Sequence, residues 1–95
     1  MNICFDVDGT LIDYDDNPRG DIIDLLLAFR QGGFDIIVWS GSGAGYAETV
    51  VGRLGIQSQV SRYLSKIHGL PPDTVFTVDD HQVNFGVPNL YVGPR

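Results

Sequence analysis

Cysteine occurs once in this 95-residue chain, at Cys4 inside an apolar run, so no internal disulfide can form and a reducing cytoplasm is the expected setting. A free cysteine in such a run is expected to be buried and inert. Basic residues are also scarce, 6 against 12 acids, for a net charge of −6. A surface of that sign is poorly suited to displacing counterions from a phosphate backbone, which argues against nucleic acid as a partner. No apolar run approaches the ~20 residues needed to cross a bilayer, and the N-terminus lacks the basic-then-apolar order of a secretory signal, so no membrane partner is expected. What remains is globular composition, 43% hydrophobic and 19% charged, in a length that suits one domain over residues 1–95. A chain this short buries roughly 60–65% of its surface, so its stability should be modest unless copies associate.

The apolar pattern alternates between two periods. Asn2–Val7 is a short β-compatible run that stops at the turn signal Asp8-Gly9-Thr10. Asn17-Pro18 offers a helix start, followed by an apolar face of Ile22, Ile23, Leu25, Leu26, Leu27 and Phe29 that closes at Gly32-Gly33. Phe34–Trp39 reads as a buried strand. Ala47, Val50, Val51 and Leu54 then follow helical spacing, with Ser42 as the expected cap and Gly55 as the stop. Between Ile56 and Leu70 the pattern is compatible with a helix or with a short strand at Tyr63-Leu64. Pro71-Pro72-Asp73 is a break, Thr74–Val78 a strand ending in Asp79-Asp80, and Asn89–Val92 a final short strand. Strand–helix alternation with continuous apolar strands predicts an α/β fold, a Rossmann-like domain with a parallel sheet of about five strands and helices on both faces.

In such sheets ligands bind outside the carboxyl ends of the strands, and polar residues collect there. The first strand ends in Asp6-Val7-Asp8-Gly9-Thr10, whose alternation puts Asp6 and Asp8 on one side. The second ends in Ser40-Gly41, the uncertain third in Ser65 and the chain's only lysine, Lys66, and the fourth in Asp79-Asp80. Carboxylates gathered within a few Å repel one another, and a hard divalent cation relieves that repulsion. Mg²⁺ takes oxygen ligands and commonly shares its shell with a phosphate, whose other oxygens need a hydroxyl, backbone N–H groups and an ammonium.

The order Asp6-x-Asp8-Gly9-Thr10, Ser40, Lys66, Asp79-Asp80, each after an apolar strand, resembles the haloacid dehalogenase superfamily over nearly the whole chain. The resemblance implies a Mg²⁺-dependent phosphohydrolase acting on a small phosphorylated substrate through an aspartyl-phosphate. Asp6 would be the nucleophile and Asp8 the general acid and then base. Asp6, Asp8, Asp79 and Asp80 would hold or support the metal, Asp8 through its backbone carbonyl. Gly9, Ser40 and Gly41 would bind the phosphoryl group, and Lys66 would compensate the charge on it and on Asp6. Asp8, two residues after the nucleophile, places the resemblance in the phosphatase branch rather than with dehalogenases or ion pumps.

The departures are in the loops. Only Leu11–Asn17 is available for the flap that family members carry, and no later connection is long enough for a cap, so an open site is expected, completed by a second copy of the chain or by the substrate's own bulk. Should the Ser58–His68 stretch be a helix, Arg62 would replace Lys66 as the basic group. Asp13, Asp15 and Asp16 read as a solvated loop, and His68 and His81 as loop residues, His81 close enough to the paired acids to touch substrate. Two other functions fit parts of the pattern. A phosphosignalling receiver also uses clustered acids, a hydroxyl and a lysine, but with its acidic pair first, the reverse of the order here. A non-catalytic binding or scaffold subunit could use the same fold.

Overall fold

The computed structural model describes residues 1–93. Five strands, β1 (Asn2–Asp6), β2 (Asp35–Ser40), β3 (Arg62–Ser65), β4 (Thr74–Asp79) and β5 (Asn89–Tyr91), pair in the order β3-β2-β1-β4-β5, every pair parallel. Two helices, α1 (Gly20–Gln31) and α2 (Ala44–Leu54), connect β1 to β2 and β2 to β3. This is the expected α/β, Rossmann-like domain without a cap. Tyr63-Leu64 belongs to a strand, which places Lys66 at the strand's mouth and Arg62 at its far end, about 13 Å away along the chain. No helix of the described residues is long and apolar enough to cross a membrane.

Both helices lie on one face, where the sequence predicted helices on both. Ile22 and Leu26 of α1 and Ala47, Val50 and Val51 of α2 share one core with Ile3, Phe5, Ile36 and Val38. The opposite face holds Cys4, Ile37 and Trp39, covered by Leu64, Leu70 and Phe85. Handedness explains the division. The connections out of β1 and β2 move one way along the sheet, and right-handed crossovers in that direction all fall on one face. The chain then returns past β1 to β4 and continues to β5, so those two connections fall on the other face. They are short and contain Pro71, Pro72, Gly86 and Pro88, so loops carrying Leu70 and Phe85 do there what helices do elsewhere.

The local ends differ from the sequence reading in two places. Asn17-Pro18 does not start α1, because the Asn17 carbonyl accepts from Asp13 N–H and Pro18 bridges Ile12 in a small hairpin; the helix begins after Arg19. No side chain caps α2, Ser42 included; its own N–H donates to Ser40 Oγ. Gly55 closes α2 in the left-handed conformation at φ 73°, as its position predicted. The direction of the connections reverses between β1 and β4, and in sheets of this kind the carboxyl ends at such a point border the ligand crevice.

Candidate active site

Alternation along the strands decides which polar residues meet. Asp6 follows Cys4, Asp79 follows Thr77 and Lys66 follows Leu64, each at a spacing of two, so all three lie on the helix-free face at the crevice. Lys66 Nζ bridges the acids, 2.8 Å from Asp6 Oδ1 and 2.7 Å from Asp79 Oδ2. It also stands 5.6 Å from the centre of the Trp39 ring. Thr10 Oγ1 donates to the other oxygen of Asp6 at 3.1 Å. Asp6 and Asp79 are thus close enough to share one cation, here the ammonium of Lys66.

The remaining groups stand around this contact. Asp80 is buried, accepts a hydrogen bond from Tyr14 OH, and has His81 Nδ1 3.1 Å from its Oδ1. His81 N–H donates to Asp79 Oδ1 at 3.0 Å. Asp8 lies past the end of β1, and its Oδ1 accepts from Tyr46 OH at 2.5 Å. There the chain turns sharply, with the N–H groups of Thr10, Leu11 and Ile12 all reaching the Val7 carbonyl. Gly9 makes that turn at φ 81°, and a Cβ there would lie 2.1 Å from Asp80 Oδ2. Arg19, buried behind the loop, donates from one nitrogen to the carbonyls of Gly9 at 2.8 Å and Gly93 at 2.9 Å. Ser40 is buried at the end of β2, one residue beyond the Trp39 that pairs with Asp6, and Gly41 beyond it is exposed with open space around it. Neither touches the acids among the described residues; Ser40 Oγ accepts from Ser42 N–H at 2.9 Å, which leaves the hydroxyl proton to donate.

The electrostatics are those of too many carboxylates for one ammonium. Burial pushes the Asp6 carboxyl up to about 7; the Lys66 hydrogen bond works against this, and Asp79 and Asp80 add to the rise. Burial would lower the Lys66 ammonium, but its hydrogen bonds to Asp6 and Asp79 outweigh that and raise it. For Asp80, burial raises the carboxyl, yet the donation from Tyr14 and contacts with Asp6 and His81 carry it below the usual range. Tyr14 and Tyr46 are both pushed up to about 12 by hydrogen bonding to Asp80 and Asp8.

Asp79, Asp80 and His81 each offer one ligand atom, all within 4.8 Å of one another, and can hold a metal ion. Asp80 Oδ1 is buried and receives no hydrogen bond, with His81 Nδ1 at 3.1 Å beside it, so it can still gain from a cation. The donor set therefore fits a metal, with Asp6 beside it through Lys66 and Asp80.

Of the residues singled out in the sequence, Asp6, Lys66, Asp79 and Asp80 come together, while the side chains of Asp8 and Ser40 bond to Tyr46 and Ser42 instead; Thr10, Tyr14, Arg19 and Tyr46 were not singled out. Thr10 lies inside the Asp6–Thr10 motif, a hydroxyl four residues after Asp6. The two tyrosines lie in a loop and on a helix, with no motif around them. No family model matches this chain, and comparison with the curated proteins and with the solved structures finds no match either.

Proposed function

We propose that this chain is a Mg²⁺-dependent phosphohydrolase of the haloacid dehalogenase type, cleaving small phosphate monoesters through an aspartyl-phosphate. The observation that carries the reading is the bridge of Lys66 between Asp6 and Asp79, which unites three strand ends at one crevice. One ammonium leaves three buried carboxylates short of positive charge. Two buried acids with a third beside them make a site built for additional positive charge.

In this reading an Asp6 oxygen attacks phosphorus while the bond from phosphorus to the leaving oxygen breaks, and Asp8 gives that oxygen its proton. Asp8 then takes a proton from water as the water oxygen bonds to phosphorus and the bond to Asp6 breaks, releasing phosphate. Lys66 moves its charge between Asp6 and the phosphoryl oxygens, and Ser40 Oγ–H with the Gly41 amide binds the others. Asp6, Asp79, Asp80 and the Asp8 carbonyl would hold Mg²⁺, which supplies charge neutralisation of the phosphoryl group. With only a short hairpin at 11–19 beside it, the site is open to small substrates, and a second copy would be the natural lid.

The test is hydrolysis of a generic aryl phosphate with Mg²⁺ and with EDTA. Turnover that requires the metal and disappears in Asp6→Asn supports the reading. Stable phosphorylation from a small donor without turnover would make the chain a receiver, and inertness to both would make it a binding subunit.

A further inference from the structure

The function just proposed assigns nothing to Tyr46, yet this residue makes the only hydrogen bond to the Asp8 side chain among the described residues. We propose that Tyr46 is the positioning residue of the general acid, holding the Asp8 carboxyl so that Oδ2 faces the leaving oxygen of the ester. The inference rests on the phosphohydrolase reading and deepens it.

Three observations carry it. Asp8 lies beyond the end of β1, in a turn whose backbone is fixed by three N–H groups on the Val7 carbonyl and by a bridge to Ile12, so what remains to be held is its side chain. Tyr46 lies in the first turn of α2, its ring packed on the core that α2 shares with β1 and β2, so the phenol is presented from a fixed element. At 2.5 Å the phenol occupies Oδ1, while Oδ2 receives no hydrogen bond among the described residues and is the freer oxygen to carry the transferable proton. The acid thus reaches the leaving group from the α2 side, while the nucleophile Asp6 is held from the Lys66 side. Acid and nucleophile are oriented by different elements, and each stays in place while the other reacts.

A group that acts by orienting an acid matters in proportion to how badly the leaving oxygen needs a proton. The experiment compares kcat/KM, which reports steps up to the first bond cleavage, for esters of nitrophenol, phenol and simple alkanols. The proteins are the wild type, Tyr46→Phe, Asp8→Asn and the double variant. Tyr46→Phe is expected to lose only about 3-fold on the nitrophenyl ester but roughly 30- to 100-fold on alkyl esters, a part of what general acids contribute. In the Asp8→Asn background the same change is expected to add nothing, because its route of action is gone. An equal loss across leaving groups, no loss, or a loss that multiplies in the double variant would overturn the proposal. The slope with leaving group is a ratio within one preparation, so a less stable Tyr46→Phe protein still gives a decisive answer. A wild type inert on every ester would instead overturn the phosphohydrolase reading beneath it.

Discussion

Asp6 and Gly9 show how much of this site is set by single residues. With the Asp6 carboxyl raised to about 7 in the fold and near 4 in the unfolded chain, the folded protein holds the extra proton between those values. In metal-free protein the stability contributed by this group is therefore full below about pH 4 and lost as pH rises to about 7. Asp6→Asn should abolish turnover and, measured by thermal melts across that window in EDTA, gain on the wild type as pH increases. A gap between the two melts that shrinks as pH increases would contradict the assignment. Gly9→Ala combines a left-handed backbone with a Cβ 2.1 Å from Asp80 Oδ2 and 2.8 Å from Tyr14 OH. It should cost about 1–3 kcal/mol in urea denaturation, and the displaced Asp80 should weaken any metal site. At this scale the sequence was legible wherever a polar residue interrupted an apolar strand, as Asp6, Ser40 and Asp79 do. It was not legible for Tyr14 and Tyr46, because a tyrosine in a loop or first helical turn satisfies ordinary surface chemistry equally well.

Among the elements, the strands were predictable because β-branched runs such as Asp35–Ser40 and Thr74–Asp79 are bounded by turn residues. Even the ambiguous third strand follows from the sheet, since β2 has no other neighbour on its outer side. The face chosen by each connection was hidden, because it depends on strand order rather than on local pattern. So was the tie made by Arg19, which joins the loop after β1 to the chain just past β5 through the Gly9 and Gly93 carbonyls. Its Nε is buried without a hydrogen bond, so the side chain is held by the two carbonyls and by Asp21 at 3.5 Å. Arg19→Met should destabilise by about 1–3 kcal/mol in denaturant, the scale of charge-assisted bonds lost from a buried site. A neutral outcome would mean that desolvating the guanidinium offsets what the two bonds contribute.

For the whole molecule, a single sheet with one apolar cluster on each face carries the site on its strand ends, with no cap to add stability. Metal binding should then be visible as folding stability. A ligand at 100 times its Kd adds ~2.7 kcal/mol, which for a domain of this size is a rise in Tm on the order of 10 °C. Differential scanning calorimetry with Mg²⁺ against EDTA should show that rise in the wild type and lose most of it in Asp79→Asn. An identical Tm with and without Mg²⁺ at millimolar concentration would remove the ion from the site.

Trp39 gives the molecule an optical reporter of its own. It is the chain's single tryptophan, fully buried, with Phe85 edge-on at 5.1 Å and the Lys66 ammonium over its ring. Anything that draws the ammonium away from Asp6 and Asp79, a bound anion above all, changes the field at the indole. Emission from the unlabelled protein should therefore register the binding of an anion there in a stopped-flow trace.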